Sequence, residues 1–118
     1  MSDQPEVLDQ AVVNELRDSV GGDAAFVIEL VDAYLAESPG YFDALKTAAA
    51  AGDAAAVVRP AHTLKSSSSA VGAMRLAALS KQVEFAAREG RVDQAGIDAM
   101  VSAWNDTVAA LSAAGLST

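Results

Sequence analysis

Glycine and aspartate punctuate this chain. Gly21-Gly22, Gly52, Gly72 and Gly90 each close a stretch, and Asp23, Asp53 and Asp93 open three of the stretches that follow. Glycine takes the left-handed conformation that ends a helix without steric penalty. An aspartate carboxylate accepts the unpaired amides at a helix start. Between these marks apolar residues recur every three or four positions, and no strand or hairpin pattern competes. Such a chain is restricted to helices joined by short turns.

Asp9 is expected to cap a first helix, with Leu8 and Val13 as a staple pair and Val12, Val13, Leu16 and Val20 as its stripe. Residues 1–7 read as a loose lead-in. A second helix is predicted over 23–51, carrying Phe26, Val27, Leu30, Val31, Tyr34 and Leu35 and then Phe42, Leu45 and Ala49. Pro39 interrupts it. A mid-helix proline costs roughly 3 kcal/mol and bends the axis, so one helix bent near Ser38-Pro39 is expected, two helices with a tight joint being the alternative. In the third helix Val57, Ala61, Leu64, Ser68 and Val71 form a seam facing a bundle interior. Leu76, Leu79, Val83 and Ala86 stripe the fourth helix, and Ile97, Val101, Trp104, Val108 and Leu111 the fifth. Trp104, Tyr34 and the phenylalanines are read first as core fillers. Four long striped helices with short connections pack antiparallel. The expected fold is all-α: an antiparallel four-helix bundle with an additional short N-terminal helix, in one domain over 1–118.

Composition removes several functions. A net charge of −8 argues against nucleic acid and anionic membrane surfaces as partners and favours a monomer. The absence of cysteine excludes disulfides, thiol catalysis and zinc–thiolate sites. The acidic start Met1-Ser2-Asp3-Gln4-Pro5-Glu6 has no apolar segment of the signal-peptide kind, and no apolar run is long enough to span a bilayer. A cytoplasmic protein is expected. Met1 and the completed fifth helix favour a free-standing chain over one cut from a larger protein.

One segment runs against the acidic background. The chain carries sixteen carboxylates, yet none lies between Ala54 and Val83, where the charges are Arg59, Lys65, Arg75 and Lys81. His62, the sole histidine, sits in this segment, with Lys65 three residues on and a run of four serines, Ser66 to Ser69. At about 100° per residue, His62 falls roughly 130° from the seam centre, with Arg59, Ser66 and Ser69 on the same outer side. A lone histidine is more often an ordinary surface residue, a serine run is commonly tolerated on an outer face, and charged faces are commonly just solvated. Against that, a neutral imidazole is a good nucleophile near pH 7, and an ammonium one helical turn away stabilises an anion transferred to it. No second histidine or inward carboxylate cluster supports a metal site. A pair between Ser66 and His62 has no acidic residue at local spacing to orient the imidazole, and no glycine-rich phosphate loop supports ATP binding. These residues suit a carrier better than a hydrolase or a kinase.

Ala61-His62-Thr63-Leu64-Lys65-Ser66-Ser67-Ser68, then Val71-Gly72-Ala73, Leu76 and Val83-Glu84, resembles the motif of the histidine-containing phosphotransfer (HPt) domain family over about 59–89. The resemblance implies a bundle of the kind the periodicity suggests. It also implies a phosphorelay role: the histidine accepts a phosphoryl group from a receiver-domain aspartate and passes it to another receiver. Carried over by motif, His62 is the phosphorylation site, Lys65 neutralises phosphoryl charge, and Gly72 forms the turn between the third and fourth helices. No cofactor is implied on this chain, the Mg²⁺ being expected on the partner receiver. Arg59, Ser66 and Ser69 are expected at the centre of the docking surface, with Phe26, Val27, Ile28 and Val31 of the second helix as apolar contributors. A helical adaptor that binds a kinase or response regulator without being phosphorylated is the alternative. The family usually has glycine after the lysine. Ser66 in its place either hydrogen-bonds a phosphoryl oxygen or crowds the approaching receiver. Pro60 removes an amide two residues before His62 and is expected to kink the helix and re-aim the imidazole.

Overall fold

The computed structural model describes residues 4–19, 21 and 23–118. Among these, the chain forms α1 (Gln10–Ser19), α2 (Ala24–Ala50), α3 (Ala54–Ala70), α4 (Met74–Arg88) and α5 (Gln94–Ala113), with no strand. The aspartates cap as expected. Asp23, Asp53 and Asp93 each accept an amide at the start of the following helix, from Phe26, Ala56 and Gly96 at 3.2, 3.1 and 2.9 Å. Asp9 accepts from the amide of Ala11 at 2.9 Å. Val20 and Gly22, read above as part of the first stripe and its stop, lie outside the described residues.

Helices α2 to α5 close a ring in which α3 packs between α2 and α4, and α5 between α4 and α2. Connections of three to five residues make neighbours antiparallel. Neither proline ends its helix: α2 runs unbroken through Pro39 and α3 through Pro60, so the two-helix alternative for 23–51 does not apply. Pro39 lies on the exposed side of α2, where water can take the carbonyl that its missing N–H leaves free.

The interior has two apolar clusters along the bundle. One gathers Phe42, Leu45, Val57, Ala61, Leu64, Leu76, Val83, Ile97 and Met100 with several alanines. The other gathers Val13, Val27, Val31, Tyr34, Val71, Ala73, Leu111 and Leu116. Trp104 packs against both, with its ring centroid 5.5 Å from Tyr34 and 5.5 Å from Phe42, which is the core-filling role expected of it. Gly96, in the first turn of α5, is required by close packing: a Cβ there would stand 2.8 Å from Val83 Cγ2 and 2.5 Å from Asp93 Oδ2.

Helix α1 docks on the α3–α4 turn. Gly72 has φ +80°, and its carbonyl accepts the Asp9 amide at 2.8 Å. A side chain at this position would be strained and would meet Asp9 O at 3.2 Å and Val13 Cγ2 at 3.3 Å. Of the segment 1–7 read as a loose lead-in, residues 1–3 lie outside the described residues, and Pro5 and Glu6 are held. The Glu6 carbonyl accepts the Arg75 amide at 3.0 Å, and the Pro5 carbonyl accepts Arg75 Nε at 3.0 Å. The reason is that the turn closed by Gly72 leaves donors pointing outward that the lead-in satisfies.

Candidate functional site

Ala61 and Leu64 of α3 are fully buried, and their register turns His62 out of the core at mid-helix. The imidazole is half exposed, at 52%. Behind it lies a residue that local reasoning on α3 missed. Glu84 of α4 faces α3, and its side chain is 7% exposed. Small residues on the inward side of α4, Ala77, Ser80 and Ala87, let the two helices approach closely. Glu84 occupies the same stripe, four residues after Ser80.

Three donors converge on this carboxylate. His62 Nδ1 stands 3.1 Å from Oε2 and 3.3 Å from Oε1. Lys65 Nζ is 2.8 Å from Oε1. Arg88, one turn further along α4, places Nη2 2.8 Å and Nε 2.9 Å from Oε2. Burial by itself pushes the Glu84 carboxyl up. The hydrogen bonds from Lys65, Arg88 and His62, helped by the Lys65 charge, outweigh burial and hold the group down at about 2. The carboxylate is therefore ionised at neutral pH and can only accept. The proton between it and the imidazole belongs to Nδ1. In the neutral ring the lone pair then sits on Nε2, the nitrogen away from Glu84.

No acidic residue lies within one turn of His62 in the sequence, so no orienting carboxylate is offered by α3 itself. The carboxylate arrives instead from 22 residues away through helix packing. The signal available in the sequence was a glutamate placed in the inward stripe of the fourth helix, where a carboxylate without a partner would be costly.

The remaining expected site residues fall in two places. Arg59 and Ser66 are exposed on α3, and Ser69 is half-buried there. Ser67 bonds back to its own helix, donating to the Thr63 carbonyl at 3.0 Å. Phe26 is 44% exposed, but Val27 and Val31 are each 1% exposed and belong to the core. Val27 therefore cannot contribute to docking, and the apolar outer stripe of α2 is Phe26 and Leu30 instead. Val27, Val31 and Tyr34 lie on the neighbouring stripe, about 100° round the helix, and that stripe meets α1, α3 and α5. Leu30 continues into a shallow groove lined also by Leu16, Ala33, Ser67, Ala70 and Val71, at the end of the bundle where α1 docks.

Among the described residues no group of three or more His, Asp or Glu is placed to hold a metal ion, and no helix is long and apolar enough to cross a membrane. The helical bundle thus presents the His62 imidazole on its outer surface with the Glu84 carboxylate behind it. The family model of the Hpt domain matches residues 29–114, and the chain belongs to that family. Hpt domains are phosphotransfer carriers rather than kinases, and work with receiver domains in two-component signalling. No curated protein and no solved structure matches the chain.

Proposed function

We propose that this protein is a phosphorelay intermediate in which His62 accepts a phosphoryl group from a receiver-domain aspartyl phosphate and passes it to a second receiver. The observation that carries this reading is the engagement of Nδ1 by Glu84 at 3.1 Å, which leaves Nε2 on the solvent side. The Nε2 lone pair forms the new N–P bond. The bond from phosphorus to the aspartyl oxygen breaks, and its electron pair leaves with the carboxylate. The Nδ1 proton stays in place, so the product ring is a phosphoimidazolium whose positive charge rests against Glu84. The reverse sequence hands the group to the next aspartate.

Lys65 would neutralise charge on the transferring group. The receiver would supply its own acidic pocket and Mg²⁺, and no cofactor is assigned to this chain. Arg59, Ser66 and Ser69 on α3 are assigned to the docking surface, with Phe26 and Leu30 as apolar contacts from α2. The cationic character of α3 suits an acidic pocket. The net charge of −8 accords with a monomeric carrier in the cytoplasm.

The test is transfer of labelled phosphate from receivers charged with acetyl phosphate. Acid-labile, base-stable label on the wild type, absent from His62→Gln, is the expected result. No transfer from a broad panel of receivers would defeat the proposal and leave a non-phosphorylated helical adaptor as the reading.

A further inference from the structure

In the resting protein Lys65, the cation assigned to the phosphoryl group, is already committed. Its ammonium sits 2.8 Å from Glu84 Oε1. To serve a phosphoryl group on Nε2 it must leave a carboxylate whose side chain is 7% exposed. A buried carboxylate that loses its cation is strongly destabilised, so this move needs a substitute.

The substitute is present. Arg88 holds Oε2 through two nitrogens, at 2.8 and 2.9 Å, and is four residues from Glu84 on the same helix, so its grip does not depend on α3. Its guanidinium is a fixed fork well suited to a carboxylate, whereas the lysine is a flexible point charge with three donors. Oε1 keeps the His62 Nδ1 contact at 3.3 Å when Lys65 departs. Phosphorylation strengthens that contact, because the ring gains a positive charge while its Nδ1 proton remains.

We propose that Arg88 is a positioning residue of the phosphotransfer site: by holding Glu84 on its own, it frees Lys65 to exchange from Glu84 to the phosphoryl group on His62. This inference rests on the phosphorelay reading above. Lys65 and Arg88 are not equivalent cations; one moves and the other stays. With Arg88 removed, Lys65 is pinned to Glu84 and the phosphoryl group loses its cation although Lys65 is still present.

The test is a double-mutant cycle on the rate of transfer from a receiver charged with acetyl phosphate. Lys65→Ala and Arg88→Gln are each expected to slow transfer about tenfold, the scale of one charge-assisted hydrogen bond. The double variant is expected to be slowed by about the same tenfold, because both changes remove one contribution. Arg88→Lys, which keeps a cation on Glu84, recovers most of the rate. A double variant slowed about a hundredfold, the product of two independent losses, overturns the inference. A second measurement needs no phosphate: carbon-13 titration of the Glu84 carboxyl in the resting protein. In Lys65→Ala the carboxyl is expected to stay below the ordinary carboxylate range, held by Arg88, and in the double variant to rise. A carboxyl that rises into that range in Lys65→Ala alone overturns the inference. Were the wild type to accept no label, the phosphorelay reading would fail, and the titration would still decide whether Arg88 holds Glu84 unaided.

Discussion

Helix α3 takes part in two polar clusters on different faces, each built on a buried acidic group, and they behave in opposite ways. On the core side the Ser68 hydroxyl meets the Tyr34 hydroxyl at 2.8 Å. On the α4 side His62 and Lys65 meet Glu84. Burial acts in the same direction on both acidic groups, since each would become an anion removed from water. For Tyr34 burial prevails: it pushes the phenol up to about 12, and the bond from Ser68 offsets only part of this. For Glu84 three charge-bearing or polar donors reverse the sign and hold the carboxyl at about 2. The side chains gathered around a buried acid, more than its depth, decide which form it takes. The first cluster is neutral and enclosed, and it fixes packing. The second is charged and open along the edge where a partner can arrive.

The largest expected difference between them is functional. Glu84→Ala removes the group that holds the Nδ1 proton and the ring orientation, and is expected to slow phosphotransfer on the order of a hundredfold. Tyr34→Phe, at a site of similar burial, is expected to leave the rate unchanged. A comparable slowing in both variants would show that the two clusters are not separable.

The next effect is on stability. Tyr34→Phe strands the Ser68 hydroxyl inside the core and is expected to destabilise the bundle by about 1–3 kcal/mol in chemical denaturation. Adding Ser68→Ala removes the stranded group, so the double variant is expected to recover part of that loss. A double variant as unstable as the sum of the two single changes would mean the hydroxyls contribute separately.

The smallest effects separate the clusters by pH. The Glu84 carboxyl is depressed in the folded state from 4.5 to about 2, so the unfolded chain binds the extra proton first as acid is added. The stability it contributes is whole above pH 4.5 and is lost as pH falls towards 2. Tyr34 is raised from 10.0 to about 12, so its contribution is whole below pH 10 and is lost as pH climbs to 12. Denaturation midpoints followed across pH are expected to show Glu84→Gln flattening the acid limb and Tyr34→Phe the alkaline limb. Crossed assignments would dissolve the comparison.

Much of this architecture was legible because its determinants are local. A glycine that must turn left-handed and an aspartate that must cap act within a few residues, so the helices lie where Gly52-Asp53, Gly72 and Asp93 mark them. The outward aim of His62 follows from the same rule, since Ala61 and Leu64 could face only inward. What failed required knowledge of neighbours. The start of α2 is apolar on two adjacent stripes, and spacing alone did not say which one meets the core; Val27 and Val31, expected at the docking surface, are buried, and Phe26, read first as a core filler, is exposed. Pro39 and Pro60 lie inside continuous helices, so the single helix expected over 23–51 stands and only its two-helix alternative fails. Glu84, quoted above only as part of the motif, gives no sign of its contact in the spacing along α3, because the interaction is made by two helices meeting. Its carboxylate signals itself only once the fourth helix is known to turn that stripe inward.

The reactive cluster also has a consequence for how the protein assembles. His62, Lys65, Glu84 and Arg88 all belong to the α3–α4 pair, the most extensively packed pair in the bundle, joined by the three residues 71–73. Contacts between segments so near in sequence close with little loss of chain entropy and form early in folding. The cluster of His62, Lys65, Glu84 and Arg88 thus lies within one local helical hairpin and needs no contact with α1, α2 or α5 to form.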